Sequence, residues 1–179
     1  KISGVRMKHS KKGFTIIEVV VSLVLIGIMA LFLGLGFHNM VRGYLFARDN
    51  EVITQKGQIA MSRIAQELKN ITLVSSPSTP TSITFYSYKN DVKSKRSIRL
   101  SDDGKEIQIT ESYSEEAPVY YPLTDQLAPN GFTLEYYANY NDTTQCYPPS
   151  ARIIIVKLRL AGPDNYILEL IDRVAPRNI

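Results

Sequence analysis

Only one cysteine, Cys146, stands among the 179 residues, so no intramolecular disulfide can form. A free cysteine commonly behaves as a small half-buried side chain, and Cys146 is read that way. Histidine is nearly as scarce: His9 lies in the basic start of the chain and His38 at the edge of an apolar run, so no cysteine–histidine couple is on offer. The chain also lacks a glycine-rich phosphate loop, a metal-spaced Cys/His cluster and a Ser-His-Asp set. No catalytic residue, cofactor or metal ligand is assigned, and the chain is not expected to be an enzyme. Asp102-Asp103-Gly104, Asn139 to Thr143 and Asp164-Asn165 carry oxygen donors, but none follows an EF-hand spacing; they read as solvated turns.

Acid is missing from the first thirteen residues, which hold Lys1, Arg6, Lys8, Lys11 and Lys12. The formal charge of +4 is therefore a property of this stub, because the remainder has 16 basic against 17 acidic residues, a net −1. So little charge beyond the stub predicts no nucleic-acid binding. A basic stub before an apolar run is what keeps a leader on the cytoplasmic side of a membrane. Met7 is an alternative first residue, which would leave the leader Met-Lys-His-Ser-Lys-Lys-Gly.

From Phe14 to Phe37 the sequence is apolar for twenty-four residues, about 36 Å as a helix and enough to cross a ~30 Å hydrocarbon core. This run is too long for a secretory signal peptide, and it leads into more helix-like sequence. Within it sits Glu18, whose carboxylate costs about 2.5–3.5 kcal/mol in a spanning segment. No lysine or arginine lies between Phe14 and Asn39 to offset it. Cleavage between Gly13 and Phe14 would create an α-ammonium four residues before Glu18 and on the same helical face. That amine could pair with its own Glu18 or with a neighbour's.

The stretch Lys11-Lys12-Gly13-Phe14-Thr15-Ile16-Ile17-Glu18 closely resembles the cleavage and methylation signature of type IV prepilins and pseudopilins. The resemblance implies that a membrane prepilin peptidase cuts after Gly13 and methylates the amine of Phe14. It also implies that Glu18 recruits the subunit by pairing with a neighbour's N-terminus in a filament. An unpaired carboxylate penalises a lone subunit in lipid, and a neighbour's ammonium relieves that penalty on assembly. Leu35 stands where many major pilins have a helix-kinking proline, and no cysteine pair exists for a C-terminal disulfide loop; both departures favour a minor pilin or pseudopilin.

Beyond the span, Val41, Leu45, Val52, Ile53, Ala60, Ile64, Leu68 and Ile71 recur mostly at three- and four-residue steps, with charges between them. The spacing predicts an amphipathic continuation of the helix over residues 38–76, weakened at Gly43 and Gly57 and ended by Ser75-Ser76-Pro77-Ser78-Thr79-Pro80. Its stripe is expected to pack on the chain's own sheet. Alternation then replaces helical spacing: Ile83, Phe85 and Tyr88; Ile98 and Leu100; Ile107 and Ile109; Phe132, Leu134 and Tyr136. Ser101-Asp102-Asp103-Gly104 reads as a hairpin turn, and Ala161-Gly162-Pro163-Asp164-Asn165 joins strands expected from Arg152 to Leu160 and Tyr166 to Val174. The eleven tyrosines are read chiefly as core or edge packing on strands.

The expected fold class is thus α+β, a long N-terminal helix on a mostly antiparallel sheet, type IV pilin-like. Its segments are a leader over 1–13, a membrane and filament-core helix over 14–37, the amphipathic helix over 38–76 and a β-rich domain over 77–179. Ile64-Ala65-Gln66-Glu67-Leu68, the paired terminal strands and the ending Arg173-Val174-Ala175-Pro176-Arg177-Asn178 resemble PilW-type minor pilins and J-type pseudopilins. This resemblance implies a structural subunit that initiates or caps a type IV pilus or type II secretion pseudopilus. Its expected partners are the peptidase, other minor and major pilins or pseudopilins, an inner-membrane assembly platform and the lipid bilayer. The expected location is the bacterial inner membrane, crossed once with the β-domain outside the cytoplasm, and then the assembled filament. A binding module at a filament tip and an uncleaved signal-anchored envelope protein are the competing readings.

Overall fold

The computed structural model describes residues 13–89, 92–112, 118–146 and 150–177. The leader expected over 1–13 lies outside them except for Gly13. The chain divides into two units, Lys1–Leu45 and Phe46–Ile179. A single α-helix, α1 (Ile16–Lys69), begins in the first and ends in the second.

In the first unit every residue from Gly13 to Leu45 is exposed, including the Val41 and Leu45 expected to belong to the inner stripe. In the second, α1 buries Ile53, Gly57, Ala60, Met61, Ile64, Ala65, Glu67 and Leu68, a stripe at three- and four-residue steps. Val52 faces outward. Gly57, read from the sequence as a weak point, serves instead as a point of close approach. A Cβ there would lie 2.9 Å from Leu170 Cδ1, 3.0 Å from Leu160 Cδ1 and 3.2 Å from Leu168 Cδ2.

The helix stops at Lys69, seven residues before the expected boundary, and Leu73–Thr79 is a strand, β1. The cluster of prolines and serines read as a helix terminator is thus itself extended. Pro77 is tolerated because β1 is the edge of its sheet, and its register with the next strand shifts between Ser75 and Thr79. The β-rich part accordingly starts earlier than residue 77.

Two antiparallel sheets stand where one was expected. Five strands, β1, β2 (Ser82–Lys89), β3 (Val92–Leu100), β4 (Ile107–Ser112) and β5 (Tyr120–Thr124), each pair with the next in chain order. The hairpin foreseen at Ser101 to Gly104 closes β3 onto β4, with Leu100 opposite Ile107. The Gly104 amide donates to the Ser101 carbonyl at 2.9 Å, and Gly104 takes a φ of 71° that suits glycine. The Ser101 hydroxyl and the Lys105 amide donate to Asp103, holding its carboxyl below the usual carboxylate range.

The second sheet orders β6 (Leu127–Tyr137), β7 (Ile153–Ala161) and β8 (Ile167–Val174). The β6–β7 register slips between Leu127 and Phe132, around Asn130 in the left-handed region and the buried Gly131. A Cβ on Gly131 would meet the Ala128 and Arg159 carbonyl oxygens at 2.6 and 2.7 Å, so only glycine fits. The β7–β8 turn uses Asp164 and Asn165 at φ 52° and 61°, which those residue types tolerate.

One core joins the helix stripe to inward residues of both sheets, with Phe85 and Phe132 fully buried. Each such ring contributes about 1.5–3 kcal/mol. Ile83, Ile98 and Ile107 are buried as their alternation predicts, and Leu100 and Ile109 pack half-buried against them. Tyr88 is not of this set. Ile83, Phe85 and Ser87 share the inward face, so the even-numbered Tyr88 points away and is exposed. Tyr136 is buried, its hydroxyl donating to the Thr79 carbonyl at 3.2 Å, and burial pushes its phenol well above the ordinary value. Cys146 is free and half-buried against the core.

The core also holds an ion cluster. Glu67, spaced among exposed charges in the sequence, is buried and accepts from the Arg96 guanidinium of β3, with Arg63 Nη2 at 3.0 Å from its other oxygen. The cluster ties the five-stranded sheet to α1.

Candidate functional site

Gly13, Phe14 and Thr15 precede the first turn of α1 and belong to no regular element. Phe14 is 80% exposed, and a Cβ on Gly13 would meet nothing within 4 Å, so nothing among the described residues packs over the Gly13–Phe14 peptide. The helix begins where Thr15 caps it. The Thr15 hydroxyl accepts the Glu18 amide at 3.3 Å, and the Thr15 carbonyl accepts the Val19 amide at 3.2 Å. With Glu18 three residues on, Thr15-Ile16-Ile17-Glu18 has the spacing of a capping box, a signal legible in the sequence.

Glu18 therefore occupies the first turn of α1, where unsatisfied amides leave partial positive charge and a carboxylate is favoured. Among the described residues no cation lies within ion-pair reach of it. The next side-chain hydroxyl, that of Ser22, turns back to the Glu18 carbonyl at 2.8 Å and leaves the carboxylate unengaged. From Ile16 onward the helix is long and apolar enough to cross a membrane, and none of its most apolar stretch is buried within the chain. The arrangement is a single acid, five residues after Gly13, on an exposed helical stretch with no other Asp, Glu, Lys or Arg before Arg42.

Catalytic chemistry is not assembled elsewhere among the described residues. No three His, Cys, Asp or Glu side chains converge there. An open groove of about 590 Å³ between α1 and β8 is lined by Met61, Ser62, Ala65, Lys69, Leu170 and Asp172, and among the described residues no hydrogen bond joins the Ser62 hydroxyl to Lys69 or Asp172.

A family model described as the prokaryotic N-terminal methylation motif matches residues 8–34, which include Gly13, Phe14 and Glu18. The match supports a protein of type IV pilin or pseudopilin type, a class of structural subunits rather than enzymes. It equally supports a membrane-anchored helix, processing by a prepilin peptidase and assembly with other pilins. The long helix with antiparallel sheets, an α+β arrangement, is consistent with a type IV pilin-like fold. No curated protein and no solved structure matches the chain.

Proposed function

We propose that this chain is a minor pilin or pseudopilin, most similar to PilW-type or J-type subunits, that helps initiate or cap a type IV pilus or type II secretion pseudopilus. In this reading the peptidase cuts between Gly13 and Phe14, the new amine of Phe14 is methylated, and the chain waits in the inner membrane with its β-rich unit outside the cytoplasm. Glu18 then pairs with the N-terminus of an adjacent subunit as the helix leaves lipid for the filament core. The single observation that carries the reading is the unpaired Glu18 on an exposed apolar helix, inside the matched motif. In hydrocarbon that carboxylate costs about 2.5–3.5 kcal/mol, a penalty that the ammonium of Phe14, its own or a neighbour's, relieves.

The test is mass spectrometry of sheared filaments and membranes from the native cells. An N-methylated peptide beginning at Phe14, present in sheared filaments far below the major subunit, is the expected result. The same peptide confined to membranes would place the chain in a short pseudopilus. A peptide in which Gly13 remains joined to Phe14 in every fraction would refute the reading and leave an uncleaved anchor.

A further inference from the structure

The outward face of the five-stranded sheet carries a pattern of charge and rings that the N-terminal motif leaves unused. On β3, Arg96 and Ile98 face the core, so the alternate residues Lys93, Lys95 and Arg99 face away. Cross-strand register sets Tyr88 beside Lys93 and Tyr86 beside Lys95, while Tyr120 arrives from β5. At ~3.4 Å per residue the three cations line about 20 Å of one strand. Among the described residues of β1 to β5, no Asp or Glu occupies an outward register position. Asp102, in the turn, lies 3.9 Å from Arg99 and is 95% exposed.

Arg99 is held rather than free. Its guanidinium carbon sits 3.8 Å from the Tyr120 ring centroid, and its Nε and Nη2 donate to Gln108 Oε1 at 3.3 and 3.2 Å. Two partners thus hold a planar cation over the Tyr120 ring, with 30% of the side chain still exposed. Lys93 is similarly drawn over the Tyr86 ring, at 4.4 Å, and the Tyr88 ring stays open to solvent.

We propose that this face binds single-stranded nucleic acid, with Lys93 and Lys95 on phosphates and the Arg99 plane and Tyr88 ring as stacking platforms for bases. Lysines suit a polyanion as point charges, while a fixed guanidinium plane and an open ring suit flat aromatic partners. A lipid headgroup would use the cations but neither plane. Duplex DNA would need an element that enters a groove, and a broad sheet face supplies none. The net −1 of the chain beyond its basic stub conceals the face, because acids elsewhere cancel it in the count. The proposal goes beyond the filament role and does not depend on processing at Gly13.

The test uses the full chain in a non-ionic detergent and fluorescence anisotropy of a labelled 20-nucleotide oligothymidine. Two phosphate contacts give a slope of about −1.4 in log affinity against log salt, so affinity is expected to fall about 7-fold between 50 and 200 mM salt. Lys93→Gln with Lys95→Gln is expected to flatten the slope to about zero. Arg99→Lys keeps the charge and loses the plane, so affinity falls about tenfold at an unchanged slope. Arg152→Gln, an exposed cation off this face, leaves binding unaltered, and thermal melts confirm that each variant is folded. Absence of saturable binding at 50 mM salt would overturn the proposal, as would an Arg99→Lys variant that binds like the parent. Equal displacement by charge-matched polyglutamate would mark a generic anion surface, and displacement by dihexanoyl phosphatidylglycerol a lipid surface; either overturns it.

Discussion

Truncating Glu67 is expected to destabilise the second unit far more than truncating the cation beside it on the helix. The Glu67 side chain is 5% exposed and Arg96 10%, whereas Arg63 is 53% exposed. Arg63 makes a solvent-washed i,i+4 pair, worth about 0.3–0.5 kcal/mol. Arg96 and Glu67 are different, because their charge-assisted hydrogen bond is buried, and its loss in a low-dielectric interior costs about 2–3 kcal/mol. For a unit of this size one kcal/mol moves the melting midpoint by roughly 3–5 °C. Glu67→Ala is thus expected to melt about 10 °C below the parent, and Arg63→Ala about 2 °C below. The assay is near-ultraviolet circular dichroism of the tyrosines against temperature, with the full chain in detergent. A Glu67→Ala midpoint within about 3 °C of the parent, or equal to that of Arg63→Ala, would show that the cluster is hydrated and the reasoning wrong.

Glu18→Ala removes a cost of about 2.5–3.5 kcal/mol in lipid and with it the reason to leave lipid. It is expected to abolish recovery in sheared filaments while the melt of the second unit stays unchanged; normal recovery would eliminate the pairing role. Tyr136→Phe deletes the buried hydroxyl that donates to Thr79, and an equilibrium urea titration is expected to register a loss of about 1 kcal/mol. The Lys56–Asp125 pair, at 2.8 Å on the surface, holds the Asp125 carboxyl below its ordinary value of 3.8, chiefly through the hydrogen bond from Lys56. A carboxyl lowered on folding stabilises above the unfolded value and ceases to do so as pH falls through the folded one. Asp125→Asn is therefore expected to cost about 0.5 kcal/mol at pH 7 and nothing at pH 2, and an equal loss at both would exclude the pair as its cause.

What the residues alone determined was whatever depends on local order along the chain. The uncharged run with its one acid needs no tertiary contact to be recognised, nor do the turns at Ser101 to Gly104 and Ala161 to Asn165. The helix stripe at Ile53, Ala60, Ile64 and Leu68 was legible for the same reason, since a helix places those positions on one side whatever covers them. Tertiary structure decided the rest. Glu67 reads as one more surface charge until β3 brings Arg96 against it. Gly57 reads as a helix defect until Leu160, Leu168 and Leu170 fill the space it leaves. Pro77 reads as a terminator until an edge position removes the need for its missing amide. The division into two sheets and the gathering of Lys93, Lys95 and Arg99 with Tyr86, Tyr88 and Tyr120 follow from strand register, and register couples residues distant in sequence. Periodicity reports which face a residue takes on its own element, but what stands opposite that face is a property of the folded chain.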